Sequence, residues 1–301
     1  MSIGYIVVSN IIIDDIVLPD GTTHMNTLGG AGTHAVMGMR TWDASVGFVS
    51  TAGRDWPDVH RGMLGSSGVD LAGVKVSDKP TSRAWQLFEP DGQRTEVFRT
   101  PFKDLQAMIP LPDDFPSSYH GARGAYILSD APEVLLPWVE RLRREDVRLI
   151  LWEPCSLMDP DKRSDFADVL AAVDIVSPDL NGAAGLYGLD SPTEIMTSLL
   201  DDGARVVALR MGARGSLVGT SDGQRYEVPV FHTEVVDVTG AGNAYCGGFL
   251  VGYAETGDAW TAGLYAAVSA SFALEQFGPH EWTQELTSLA AHRLARLQSM
   301  R

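Results

Sequence analysis

Apolar runs of strand length recur along the chain at Tyr5–Ser9, Val46–Ser50, Ala125–Leu128, Leu149–Trp152, Ile175–Ser177 and Val206–Leu209. Short runs without polar alternation suit strands buried on both faces of a parallel sheet. Between them, Pro132–Arg144, Arg163–Ala172 and Thr193–Leu200 carry apolar residues at helical spacing. The repeated strand-helix order predicts an α/β fold, a mostly parallel central sheet with helices on both faces. Right-handed crossovers then place ligand sites at the carboxyl ends of the strands.

Two stretches break that rhythm. Ile11–Val17 is followed by Pro19-Asp20-Gly21, and Ala84–Phe88 by Pro90-Asp91-Gly92-Gln93 and Thr95–Phe98. Both read as hairpins built on turn chemistry, and together they predict a small β-lid. The proline-bearing stretch Pro101–Pro116 reads as a loop, and the segment from Gly240 to Leu297 as largely helical. Neither a repeat nor a linker-like composition interrupts the chain, so one domain over residues 1–301 is expected, with lid segments at about 11–28 and 82–100. Isolated hairpins are marginal in water and leave sheet edges open, so a homodimer through the lid is expected.

Composition narrows the function classes. With 45% hydrophobic and 21% charged residues, the 301-residue chain can fill a sizeable core. Its 39 acidic against 23 basic side chains give a formal charge of -16, which argues against nucleic acid or anionic membranes as partners. No run approaches a membrane span and the start lacks a basic signal region, so a cytoplasmic location is expected. Cys155 and Cys246 match no metal-ligand or disulfide spacing and read as buried free thiols.

The chemistry concentrates in Val235-Val236-Asp237-Val238-Thr239-Gly240-Ala241-Gly242-Asn243-Ala244-Tyr245, read as a strand end passing through a small-residue turn into an apolar helix. A glycine-rich turn that opens a helix aims unpaired N–H groups at one spot, where the helix dipole also favours negative charge. The whole string resembles the second signature of the ribokinase-like, phosphofructokinase-B type carbohydrate kinases, Asp-x-Thr-Gly-Ala-Gly-Asp-Ala-Phe. Other parts match in the family's order: Ser9-Asn10 and Asp14, Gly29-Gly30-Ala31-Gly32, Gly53-Arg54-Asp55, and Leu209-Arg210-Met211-Gly212-Ala213-Arg214-Gly215.

The resemblance implies an αβα sandwich with a β-lid, and transfer of the ATP γ-phosphoryl group to a hydroxyl of a sugar or nucleoside. Gly240, Ala241 and Gly242 would form the anion hole, with Asp237 and Thr239 beside the phosphates. Asn10, Asp14, Gly29, Gly30 and His34 would meet the small-molecule substrate, and Arg210, Gly212 and Gly215 the nucleotide. ATP and Mg2+ are the cofactors implied.

Three positions depart from the family's pattern. Asn243 stands where the family has its proton-accepting aspartate, and an amide is no general base. The family's Asn-x-x-Glu becomes Asp179 and Gly182, leaving Asp179 as the one candidate metal ligand. His34 falls in the helix where the family often has Asn, and reads as a pocket-shaping residue or a surrogate base. Glu153, in Leu151-Trp152-Glu153-Pro154, reads most plainly as a solvated loop acid, with ligand or base as the alternative. These features and Glu275-Gln276-Phe277-Gly278 resemble a divergent branch that includes fungal maintenance-of-killer-type proteins. A silent, ligand-binding regulator is the competing function, and a nucleoside kinase using Trp85, Phe88 or Phe98 to stack a base is a third. Asn243→Asp is expected to raise turnover by restoring the lost base; a fall would mean instead that the base has moved to His34, Glu153 or another group.

Overall fold

The computed structural model describes residues 2–90, 93–129, 131–155 and 160–300. The apolar runs become strands of one sheet. In chain order the elements are β1 (Tyr5–Val8), β2 (Ile12–Val17), β3 (Thr23–Gly29), α1 (Ala31–Arg40), β4 (Val46–Ala52), α2 (Asp58–Ser66), β5 (Val69–Val76), β6 (Ser82–Phe88) and β7 (Arg94–Phe98). There follow α3 (Phe102–Gln106), β8 (Gly124–Leu128), α4 (Pro132–Arg144), β9 (Leu149–Glu153), α5 (Arg163–Ala172), β10 (Ile175–Val176), α6 (Leu180–Tyr187) and α7 (Pro192–Asp201). The chain closes with β11 (Val206–Arg210), β12 (Ser216–Thr220), β13 (Arg225–Val228), α8 (Ala241–Thr256), α9 (Ala259–Leu274) and α10 (Gln284–Gln298).

The central sheet runs β13-β12-β11-β10-β9-β8-β1-β4-β5, parallel except near one edge, where β12 pairs antiparallel with both β11 and β13. Alternation along each strand divides the core between its two faces. Tyr5 and Val7, with Tyr126 and Leu151, pack with Phe249 and Leu250 of α8 and Val268 and Phe272 of α9. Ile6 and Val8, with Ile127 and Trp152, pack with Trp138 of α4, Phe166 of α5 and Ile195 of α7. The result is the α/β sandwich that the run pattern predicts.

The two outlying segments form a second sheet, ordered β3-β2-β6-β7. Each hairpin is antiparallel, and β2 and β6 join them in parallel. Register puts Asp14 of β2 opposite Ala84 of β6, which faces Phe98 of β7. Ile16, Gln86 and Glu96 form the next row. Strand β7 is the outer edge and is exposed along its whole length. The turn residues Asp91 and Gly92 lie outside the described residues. On the other side, β3 leans on the segment after α9: the His24 ring stacks on Phe277 at 3.7 Å.

Three sequence readings need correction. The prolines of Pro101–Pro116 do not make it all loop. Pro101 stands as the N-cap of α3, and Pro112 starts a 3-10 turn, since a ring-fixed φ suits a first helical position. Val235-Val236-Asp237-Val238 is not a strand end. No sheet neighbour reaches it, the Val236 N–H bonding the Leu274 carbonyl at 2.7 Å instead, and Val235 remains 57% exposed. Cys155 is exposed just past β9, whereas Cys246 is buried on α8. Among the described residues no helix is long and apolar enough to cross a membrane.

Candidate active site

Helix α8 begins at Gly240, whose φ of 77° lies in the left-handed region open to glycine, and no side chain caps the helix. Its first-turn N–H groups therefore lack a capping side chain, the Ala241 N–H reaching only the Val238 carbonyl at 3.4 Å. The His34 ring of α1 packs flat against Gly240, where any side chain would collide with it. Small residues allow this approach: added carbons on Gly38 or Gly247 would strike the Ala244 or Ala35 backbone across the α1/α8 contact. Asp237 Oδ1 accepts the Thr239 N–H at 2.8 Å. Asp237 Oδ2 and Thr239 Oγ1 are buried with no hydrogen-bond partner among the described residues, oxygen atoms turned towards something else.

On one side of the α8 start lies a cavity of about 450 Å³ between the β11/β12 end and α9. Arg210, Gly212, Gly215, Phe231, Gly242 and Leu274 are among its lining residues. Gly212 and Gly215 form the tight turn between β11 and β12, closed by the Gly215 N–H on the Gly212 carbonyl at 3.0 Å. Asp179 also lines it, but its Oδ1 is committed as the α6 N-cap, accepting the Gly182 N–H at 2.9 Å. Any residue but proline would supply that backbone donor, so nothing in the structure explains the glycine at 182. Among the described residues no three His, Cys, Asp or Glu side chains converge as a metal cage.

On the other side lies the lid. Asp14 is 2% exposed, its carboxylate packed against Gly29, and Gln86 donates to it at 3.0 Å. Burial pushes the Asp14 carboxyl up to about 7, despite the lowering effect of Gln86. Gln86 Nε2 also donates to Glu96 at 2.8 Å, and Arg94 donates to Gln86 Oε1 at 2.9 Å. Gly29 accepts the Thr33 hydroxyl at 2.9 Å, while Gly30 packs on the carbonyl of Asn10. Asn10, Asp14, Gly29, Gly30 and His34 thus gather around the junction of lid and sheet.

His34 is corrected as a base. Both ring nitrogens are buried without partners among the described residues, and burial lowers its pKa to about 3. A group that holds a proton so weakly is a poor acceptor near neutrality, though the neutral ring retains one donor and one acceptor.

Glu153 is corrected as a loop acid. It ends β9, 4% exposed, because β9 lies between β8 and β10 and its carboxyl end faces α8. Arg210 Nη1 lies 2.7 Å from Glu153 Oε1, Asn243 Nδ2 donates to the same oxygen at 3.1 Å, and the Tyr126 hydroxyl donates to Oε2 at 2.8 Å. The Arg210 guanidinium presses on Gly242, where a side chain would overlap it. Burial and the Glu153 charge keep the Tyr126 phenol and Cys246 thiol protonated. Sequence reasoning missed Tyr126, Gln86, Arg94 and Glu96. The signal for the last three was two-residue alternation from Asp14 across the paired strands; for Tyr126 there was none.

Comparison with known proteins gives the family. The sequence matches the pfkB family carbohydrate kinase family over residues 1–285. It is 28% identical over 252 residues to a cytidine kinase of Thermococcus kodakarensis, covering 83% of this chain and 88% of that protein. It is 27% identical over 307 residues to Protein MAK32 of Saccharomyces cerevisiae, covering 89% and 83% respectively. The crystal structure of adenosine kinase from Sinorhizobium meliloti superposes with a TM-score of 0.80 at 18% identity, covering 97% of this chain and 99% of that one. With the glycine cradle, the lid and the strand order on the same chain, this protein belongs to the pfkB family of carbohydrate kinases.

Proposed function

We propose that this protein transfers the γ-phosphoryl group of ATP to a hydroxyl of a sugar or nucleoside. The observation that carries the reading is the uncapped start of α8, set between the 450 Å³ cavity and the Asp14 cleft. Gly240, Ala241 and Gly242 act as the anion hole, and Arg210, Gly212, Gly215, Asp237 and Thr239 hold the nucleotide. Asn10, Asp14, Gly29, Gly30 and His34 hold the acceptor, ionised Asp14 taking hydrogen bonds from its hydroxyls.

The acceptor oxygen bonds to the γ-phosphorus as the bridging P–O bond breaks, its electron pair leaving with ADP. Charge spreads over the equatorial oxygens of a loose transition state, where preset backbone donors stabilise it. The amide of Asn243 takes no proton. The hydroxyl proton moves onto the transferred phosphoryl group and reaches solvent as the monoester ionises, its second pKa being about 6.

Mg2+ is proposed as the companion of the nucleotide, neutralising phosphate charge when bound. The unpartnered Asp237 Oδ2 and Thr239 Oγ1, with Asp179 at the cavity wall, offer the oxygen atoms a hard cation prefers. The cytoplasm, where ATP is abundant, is the compartment proposed. The open β7 edge, with Val97 43% and Phe98 44% exposed, supports a homodimer through the lid. Sedimentation showing only monomer at micromolar concentration would refute the dimer.

A phosphoryl-transfer assay across sugars and nucleosides, with binding measured in parallel, tests the function. Turnover of at least one acceptor is expected; binding without turnover of any would replace the kinase with a silent regulator. The cytidine kinase relative puts nucleosides first in the panel.

A further inference from the structure

Three donors converge on Glu153, and each comes from a different element. Tyr126 arrives from β8, Arg210 from β11 and Asn243 from the first turn of α8. A carboxylate only accepts, so the Asn243 nitrogen must face it, and the amide oxygen is left to face elsewhere. Arg210 is tied to Glu153 through Nη1, while its buried Nε has no partner among the described residues. Its guanidinium lies against Gly242 and lines the nucleotide cavity. One buried carboxylate therefore fixes two groups at the mouth of the anion hole.

We propose that Glu153 is a positioning residue and forms one unit with Asn243: the carboxylate that faces residue 243 stands on β9 instead of α8. Resting on the kinase reading above, the unit has two duties. It turns the Asn243 amide oxygen towards the acceptor hydroxyl, and it holds Arg210 where charge gathers on the phosphoryl group. The amide at 243 is then no residue of a decayed site. An aspartate there would put a second buried carboxylate about 3 Å from Glu153 with only Arg210 to neutralise both.

The groups facing Glu153 are Tyr126, Arg210, Asn243 and Cys246, with Asp179 near Arg210. Tyr126 and Cys246 remain protonated, so in Asn243→Asp the proton shared by the two carboxylates is the added titration. A protonated aspartic acid resembles the amide, donating to Glu153. The rate of Asn243→Asp relative to wild type should therefore rise as pH falls.

The test is a cycle of wild type, Glu153→Gln, Asn243→Asp and the double variant. Acceptor kcat and KM, affinity for a non-hydrolysable ATP analogue and thermal midpoint are measured for each. Each single variant should lose about 10–10²-fold in kcat, the scale for removing an orienting partner, with little change in acceptor KM. The double variant, with one carboxylate again and an amide facing it, should exceed the Asn243→Asp rate by tenfold or more. A double variant no better than the product of the singles, or Asn243→Asp faster than wild type at neutral pH, overturns the unit.

If wild type turns over no acceptor, the kinase reading fails by itself, and the thermal midpoints still decide the pairing. Asn243→Asp should then be destabilised and the double variant restored, whereas additive midpoints refute the unit. If Asn243→Asp does not fold at neutral pH, Glu153→Gln and the double variant are compared, and the double variant must then be the one that folds.

Discussion

The two sides of the α8 start differ in make-up, and on the proposed reading they would recognise their ligands by opposite means. The proposed nucleotide side is a largely apolar cavity, with the glycines of the α8 start and of the β11/β12 turn in its wall beside Arg210, which is paired with Glu153, and Asp179. The acceptor side is a cleft of side chains, with Asp14 and His34 both buried and Gln86, Arg94 and Glu96 reaching in from the lid. Backbone donors at a helix start suit any phosphate, so one half of the site can serve the whole family. Side chains on short strands are replaced one by one, so on the same reading specificity would belong to the other half.

That division breaks most visibly at Gly242. A leucine there would occupy the place of the Arg210 guanidinium. Calorimetry should show nucleotide binding abolished, while circular dichroism keeps the wild-type secondary structure. Unchanged nucleotide affinity would remove the cradle from the nucleotide side.

Asp14→Asn tests the acceptor side through stability. The Asp14 carboxyl rises from 3.8 to about 7 on folding, so stability is fully present below pH 4 and is lost as pH rises through 7. An amide does not ionise, so the variant should lack this slope. Above pH 7 it should exceed wild type by roughly 2–4 kcal/mol in urea unfolding. Parallel curves for the two proteins would contradict the buried charge.

The same variant should lose about 10–10²-fold in kcat/KM for the acceptor, the scale of a hydrogen bond to a charged group, with nucleotide affinity unchanged. The smallest effect belongs to Arg94→Ala. Its guanidinium touches Gln86, not Asp14 itself, so acceptor KM should rise only about two- to fivefold, roughly 0.5–1 kcal/mol. A larger fall in nucleotide affinity than in acceptor affinity, measured by titration, would show that the lid serves both sides.

The sequence showed these halves unequally. Strands such as Val46–Ala52 were legible because burial on both faces leaves an unbroken apolar run, and the glycine string was legible because its geometry is local. Val235 and Val238 misled because apolar residues that line a cavity mimic a strand. Glu153 was read as a loop acid because its burial depends on Arg210, Tyr126 and Asn243, three residues far apart along the chain. His34 could be placed on a helix by sequence, but its low pKa comes from complete burial, with the charges of His280 and Arg94 adding to it.

The segment after α9 touches both halves. Glu275 pairs with Arg293 at 2.8 Å and accepts a hydrogen bond from Thr233 of the cavity wall. Two residues on, Phe277 carries the His24 ring of the lid, and Gly278 lies against Thr27 and Leu28. A lid movement that displaced this segment would disturb contacts of both pockets, and if both bind ligands linkage would make the effect mutual. The factor by which a bound acceptor tightens or loosens the nucleotide equals the factor by which the nucleotide alters the acceptor, so one titration with the other ligand saturating fixes both.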